Sequence, residues 1–293
     1  MLFVMNPYAG IRRANRYLTD IISIFNRAGY DVLTYMTTGP GDGARIVEEK
    51  AADMDLVVCC GGDGTFNEAI TGLLRGGYNV PVGYIPAGST NDFAASLKLP
   101  MKPLKAAQAI AEGKPVAYDI GLFGDRHFAY VASFGAFTKS SYATSQSVKN
   151  ALGHTAYLLN GVTELAHIHK IPIKMELDGE VIEDEFLFGA ICNSTSVGGI
   201  IKLNPSDVDM SDGLFEVFLV RSPKKLSHMR KFLRDVRRKK FDNPMVTFRS
   251  AKNITVYADP EMSWTLDGEH ASGHEKIEIV NRHHAIRLIQ KED

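Results

Sequence analysis

The five residues Gly61-Gly62-Asp63-Gly64-Thr65 carry the clearest chemical signal in the chain. They follow the apolar run Leu56 to Cys60 and precede Phe66, Ile70, Leu73 and Leu74, which recur at helical spacing. Three glycines permit positive φ and let a bulky ligand approach backbone N–H groups. A helix N-terminus behind such a turn attracts anions, phosphate above all. Thr65 and Glu68 have the spacing of a capping box, which predicts that the helix starts there. Asp63 is the anomaly, because a carboxylate among phosphates is unfavourable unless it holds a metal ion or accepts a proton. A tight turn with a polar tip would explain the same residues without a ligand. No Gly-x-x-x-x-Gly-Lys-Ser/Thr segment occurs, and no Gly-x-Gly-x-x-Gly follows a strand, which argues against P-loop and Rossmann dinucleotide sites.

The elements around this segment alternate. Leu2 to Met5, Asp31 to Met36, Asp55 to Cys60 and Val82 to Ile85 read as strands; residues 12–28, 42–53, 65–75 and 103–112 read as helices. Strict alternation implies right-handed crossovers and a parallel sheet. The strands end in Asn6-Pro7-Tyr8-Ala9-Gly10, Thr37 to Gly43, Gly61 to Thr65 and Pro86 to Asp92. Ligands of open parallel sheets bind where such carboxyl-end loops gather, so four loops are expected to form one site. After about residue 115 the pattern changes to successive strands: Val116 to Gly121, Phe128 to Phe134, Ile171 to Leu177, Phe186 to Cys192, Leu214 to Val220, Ile254 to Tyr257, Lys276 to Val280 and Ala285 to Ile289. Many are separated only by turn signals such as Asp178-Gly179, which suggests an antiparallel sandwich or barrel. Helices are expected at 150–168 and 224–240. Asp267-Gly268 after Trp264 is by itself a common hairpin signal.

A chain of 293 residues accommodates two domains, and 45% hydrophobic with 23% charged residues excludes disordered, collagen-like and coiled-coil classes. A net charge of −1 argues against a nucleic-acid partner, but it averages over a strong polarity: Arg221 to Lys240 holds ten Lys/Arg against one acid. There Leu226, Met229, Leu233 and Val236 form a helical stripe among basic residues. Each positive charge near an anionic bilayer contributes on the order of 1 kcal/mol, screened by salt, so Lys224 to Lys240 is a candidate peripheral membrane contact; a solvated helix face fits the same pattern. Cys59, Cys60 and Cys192 offer neither a disulfide framework nor zinc spacing, and reduced thiols fit a cytoplasmic protein. Neither a signal peptide nor a membrane span is apparent. His270 and His274 are disfavoured as zinc ligands by Ser272-Gly273, and His283/His284 read as surface or turn residues.

Asn6-Pro7 with Gly10, Gly61-Gly62-Asp63-Gly64-Thr65 with Asn67-Glu68, Pro86-Ala87-Gly88-Ser89-Thr90-Asn91-Asp92-Phe93-Ala94, Asp209 with Asp212-Gly213-Leu214, and Leu266-Asp267-Gly268-Glu269 together resemble the diacylglycerol kinase catalytic-domain family, specifically its soluble bacterial lipid kinases. Five blocks in family order span nearly the whole chain. The glycine block alone resembles that of NAD kinases and sphingosine kinases as well; the fourth loop, Pro86 to Asp92, resembles the lipid-kinase version. The resemblance implies ATP binding by Asn6, Pro7, Gly10, Thr37, Gly61, Gly62, Asp63, Gly64, Thr65, Asn67, Glu68, Ser89, Thr90, Asn91 and Asp92. It implies a structural magnesium ion held by Asp209, Asp212 and Leu214, and oxygen ligands suit a hard cation. It also implies a proton-accepting role for Glu269, with Asp267 an essential neighbour, while in sphingosine-kinase relatives the aspartate matching Asp63 is the base. The three acids Asp63, Asp267 and Glu269 all stay open for that role.

The expected architecture is an α/β nucleotide-binding domain with a parallel sheet (1–120) followed by an antiparallel β-sandwich that receives a lipid (121–281), with 282–293 returning as a strand to the first domain. The expected activity is ATP-dependent, magnesium-dependent phosphorylation of a lipid hydroxyl, diacylglycerol first among the substrates, by a cytoplasmic enzyme that touches the membrane during turnover; a homodimer is compatible with it. A soluble NAD kinase and a non-catalytic nucleotide-binding regulator are the alternatives.

Overall fold

The computed structural model describes residues 1–12, 14–89, 91–135, 170–197, 201–203, 208–223, 225–237 and 243–291. The expected helix at 150–168, Thr90, Lys224 and residues 238–240 lie outside them.

The chain forms two compact units. The first comprises Met1–Ile120, Met210–Gly213 and Arg282–Asp293. Its parallel strands are β1 (Leu2–Met5), β2 (Leu33–Met36), β3 (Val57–Gly61) and β4 (Val82–Pro86), with β1 pairing both β2 and β3, and β3 pairing β4. β1, β3 and β4 are buried throughout, because helices cover both faces and every side chain must be apolar or small. Phe3, Met5, Val58, Cys60 and Ile85 share one core cluster with Ile21 and Phe25 of α1 (Leu18–Arg27) and Ala106, Ala107 and Ile110 of α5 (Pro103–Glu112). Cys59, its neighbour in a strand, projects the other way and sets its thiol 3.6 Å from the Gly83 carbonyl. Burial pushes the Cys60 thiol up to about 12, and all three cysteines are free and buried, hence unreactive. On the second face α2 (Asp42–Lys50) packs against α3 (Asp63–Arg75).

Two helix expectations are corrected here. Residues 12–28 are not one helix: Ala9–Arg12 and Ala14–Tyr17 are 3-10 turns, and α1 begins at Leu18. Asn15 donates from Nδ2 to the Pro7 carbonyl at 3.2 Å, which ties the second turn to the first loop. The sequence also misses α4 (Asp92–Ser96), a single turn and a half after the fourth loop.

The second unit comprises Gly121–Asp209 and Leu214–Asn281. Its strands are the end of β5 (Lys114–Phe123), then β6 (Arg126–Phe128), β7 (Val131–Gly135), β8 (Ile171–Leu177), β9 (Glu180–Cys192), β10 (Ser196–Val197), β11 (Ile201–Lys202), β12 (Phe215–Arg221), β13 (Val246–Ala251), β14 (Asn253–Tyr257), β15 (Trp264–Leu266), β16 (Glu269–Ala271) and the start of β17 (Lys276–Gln290). The pairings among them are antiparallel, as in β8 with β9, β9 with β12 and β14 with β17. Trp264, Phe128, Phe134, Phe186 and Phe215 lie in its core, Trp264 edge-on to Phe123 and Phe134. α6 (Leu226–Arg237) realises part of the basic helix.

The expected strand Phe128 to Phe134 is two strands, broken because the Asp267 carboxylate binds the backbone amides of Ala129, Tyr130 and Val131. The two expected strands after residue 276 are instead one, β17, which carries a left-handed residue, His284, at φ 51°. β17 serves both units: Lys276 to Val280 pair with β14, while Leu288 pairs in parallel with Val82 of β4.

Leu288 is fully buried, whereas Leu33 on the outermost strand β2 is 41% exposed. Leu288→Ala is expected to cost about 2–5 kcal/mol of stability and Leu33→Ala less than about 1, read as a shift in urea midpoint at constant slope.

Candidate active site

The four carboxyl-end loops of the first unit converge. Asn6, after β1, accepts the Tyr8 N–H through Oδ1 at 2.9 Å and directs Nδ2 at Thr65 Oγ1, 3.5 Å away. Gly10, at φ 48°, lies against the fourth loop so closely that a Cβ would sit 1.9 Å from the Ala87 carbonyl oxygen. Thr37 is buried after β2, and its N–H donates to Met5. A Cβ on Gly88 would lie 2.5 Å from Gly62 Cα, so the third and fourth loops meet backbone to backbone. The four loops therefore gather at one end of the parallel strands, as their sequence positions predict.

Carboxylates fasten this gathering. Glu68 accepts the Gly41 N–H at 2.7 Å and the Gly43 N–H at 2.9 Å, binding the second loop to α3. That corrects the capping box: α3 starts at Asp63 behind Gly62, not at Thr65, because Glu68 is engaged with the neighbouring loop rather than with its own helix. Asp63 accepts the Asp92 N–H at 2.9 Å and the Phe93 N–H at 3.4 Å, and so binds the start of α4. The Tyr84 hydroxyl stands 3.3 Å from both Asp63 Oδ1 and Asn91 Oδ1. Asn91 closes the fourth loop, accepting the Gly88 N–H and donating to the Gly88 carbonyl, both at 2.9 Å, from a left-handed backbone that asparagine tolerates. Burial raises the Asp92 carboxyl above its ordinary range. Asn67 accepts from Thr71 Oγ1 at 3.4 Å, and Ser89 is exposed at the loop tip.

Among the described residues no side-chain cap hydrogen bond is made at Gly62, the residue before α3, and a helix N-terminus leaves its first-turn amides without intrahelical partners. A helix N-terminus behind a glycine turn favours an anion such as phosphate on electrostatic grounds.

The second unit holds the other two acids in different environments. Asp267 and Gly268 form the turn between β15 and β16, both at positive φ, as the Asp-Gly signal predicts. Asp267 is buried and accepts three amides: Ala129 at 2.6 Å, Tyr130 at 3.0 Å and Val131 at 3.1 Å. Glu269, two residues on, is exposed. The structure thus separates an acid that shapes a loop from one that faces solvent.

Asp209 and Asp212 are exposed and Leu214 is half-buried, its carbonyl accepting Asn281 Nδ2 at 2.9 Å. Beneath this turn lies Asp119, which the sequence reading missed. Its carboxylate accepts the N–H groups of Gly213 and His284, each at 2.7 Å, and its own N–H donates to Met210. An acid in the middle of the apolar strand Val116 to Phe123 was the available signal. Exposed carboxylates and a carbonyl are donors suited to magnesium.

Comparison with known proteins agrees with this layout. Residues 1–123 match the diacylglycerol kinase catalytic domain, and residues 131–288 match the YegS C-terminal NAD kinase beta sandwich-like domain. A diacylglycerol kinase of Bacillus subtilis is 30% identical over 99% of this chain and 96% of its own length; one of Staphylococcus carnosus is 31% identical over 91% and 87%. The chain belongs to the diacylglycerol kinase family. A crystal structure of a Bacillus anthracis protein assigned to the diacylglycerol kinases superposes with a TM-score of 0.84 at 26% identity, covering 99% of this chain and 94% of the other. Membership of a kinase family brings nucleotide use with it, and no helix among the described residues is long and apolar enough to cross a membrane.

Two outcomes follow for this family member. Gly88→Ala must push Gly62 away and is expected to weaken ATP binding at least tenfold, about 1.4 kcal/mol, in calorimetric titration. Asp267→Ala leaves buried amides unpaired and should lower stability by about 3 kcal/mol or more, whereas Glu269→Gln should stay within about 0.5, both by denaturant unfolding.

Proposed function

We propose that the chain transfers the γ-phosphoryl group of ATP to a lipid hydroxyl, converting diacylglycerol to phosphatidic acid. The observation that carries this reading is the convergence of four loops on the uncapped N-terminus of α3, in a chain whose relatives are named diacylglycerol kinase. The amides of Asp63, Gly64 and Thr65 bind phosphate oxygens in this reading, and Gly61 and Gly88, by having no Cβ, let Thr65 and the third loop pack closely around them. Asp63 keeps the third and fourth loops in register through its bonds to Asp92 and Phe93. Asp209, Asp212 and the Leu214 carbonyl would hold a structural magnesium ion, which oxygen donors suit.

Glu269 is the general base in this reading. Phosphoryl transfer to an alcohol needs a side chain that orients the hydroxyl and accepts its proton. Asp267 is engaged by three amides and Asp63 by two, while Glu269 is exposed. Those environments favour Glu269 over the other two acids.

The substrate lies in a bilayer, and α6 is the element suited to reach it. Lys225, Lys231 and Arg234 are exposed while Phe232 is buried, so one side is anchored and another is basic. Contact with anionic lipid through this face would bring a cytoplasmic enzyme to its substrate for each turnover.

The deciding experiment supplies radiolabelled ATP with dispersed diacylglycerol, other glycerolipids, sphingosine and NAD. Turnover is expected with diacylglycerol, reduced about 10²–10⁴-fold in Glu269→Gln with ATP affinity retained. Phosphorylation of NAD without any lipid product would overturn the reading. Replacing Lys225, Lys231 and Arg234 by serine should abolish co-sedimentation with anionic vesicles; binding equal to that of the unaltered protein would refute the membrane contact.

A further inference from the structure

Successive residues of a strand project to opposite faces, yet the imidazoles of His283 and His284 in β17 lie on the same side. Their ring centroids are 3.7 Å apart and their planes 27° apart. The left-handed backbone of His284 makes this possible. Such a conformation is uncommon for residues other than glycine, asparagine and aspartate, and backbone strain of this kind concentrates at ligand sites. His283 Nδ1 is 3.1 Å from Asp119 Oδ1, and His284 Nε2 is 3.2 Å from the Ser211 carbonyl. One donor atom from each of Asp119, His283 and His284 lies within 4.8 Å of the other two.

We propose that Asp119, His283 and His284 form a binding site for a divalent transition ion of the zinc class. Two imidazole nitrogens with one carboxylate oxygen suit zinc, cobalt or nickel and disfavour magnesium and calcium, which take oxygen sets. The carboxylate is already oriented by the Gly213 and His284 amides, the outer-shell support that metal-binding carboxylates use. Asp119 is buried and the imidazoles are solvent-facing, so the ion enters from one side and water completes its coordination. The site differs in chemistry from the oxygen donors of Asp209, Asp212 and Leu214. It lies under the Met210–Gly213 turn: Asp119 is bonded to Met210 and Gly213, so an ion here braces the last strand of the first unit against the turn that carries Asp212.

The test is titration of the full chain with Co²⁺ in excess Mg²⁺, followed by visible absorption and calorimetry. One Co²⁺ per chain is expected, displaced by Zn²⁺ but not by Mg²⁺. His283→Gln and His284→Asn, the latter keeping a residue that tolerates the left-handed backbone, should each weaken binding at least tenfold, and Zn²⁺ should raise Tm in the original protein but not in the variants. A His270→Gln/His274→Gln control should bind as the original. Absence of stoichiometric binding, displacement by Mg²⁺, or binding unchanged in both His283 and His284 variants would overturn the proposal. None of this requires kinase turnover.

Discussion

A carboxylate accepting hydrogen bonds from backbone amides recurs wherever this chain must hold a loop. Glu68 binds the second loop, Asp63 the start of α4, Asp119 the Met210–Gly213 turn, and Asp267 the segment between β6 and β7. Each bond of this type is charge-assisted and stronger than a neutral one. Each also satisfies amides that a bend in the backbone would otherwise leave unpaired. Glu68 and Asp63 thereby fix the second loop and the start of α4 against α3.

This arrangement divides the acids of the chain by environment rather than by residue type. Asp63, Asp267 and Glu269 are equivalent candidates on paper, but two are engaged with amides and one faces solvent. Tyr84 adds a hydroxyl between Asp63 and Asn91, and its ring stacks on Phe66, which in turn stacks on Phe93. The polar floor of the site is thereby joined to the apolar core below it.

The alternating pattern of the first hundred residues made the parallel sheet and its loops legible, since buried strands and amphipathic helices differ in period. The glycines at 10 and 88 were legible as turn residues, and they matter because no Cβ fits where they stand. Interactions between residues remote in the chain were not legible. Glu68 at capping distance from Thr65 reads as a local motif, and only the folded chain shows it 2.7 Å from Gly41 N. Likewise Asp267 breaks a strand more than a hundred residues away, a perturbation invisible to any local pattern. Asp119 and His283 meet across 164 positions, so neither announces the other.

β17 gives the last residues of the chain a task in the first unit, where Leu288 pairs with Val82. During synthesis the ribosome delivers β1 to β4 early, but their sheet keeps an open edge at β4 until Arg282 to Gln290 emerge. At roughly 5–20 residues per second, the interval is on the order of ten seconds or more. For that time the nascent chain exposes an unpaired apolar edge of the kind that recruits other strands. A fold with a strand of this kind therefore ties the completion of its first sheet to the synthesis of Arg282 to Gln290, and leaves the β4 edge open while the residues between are made.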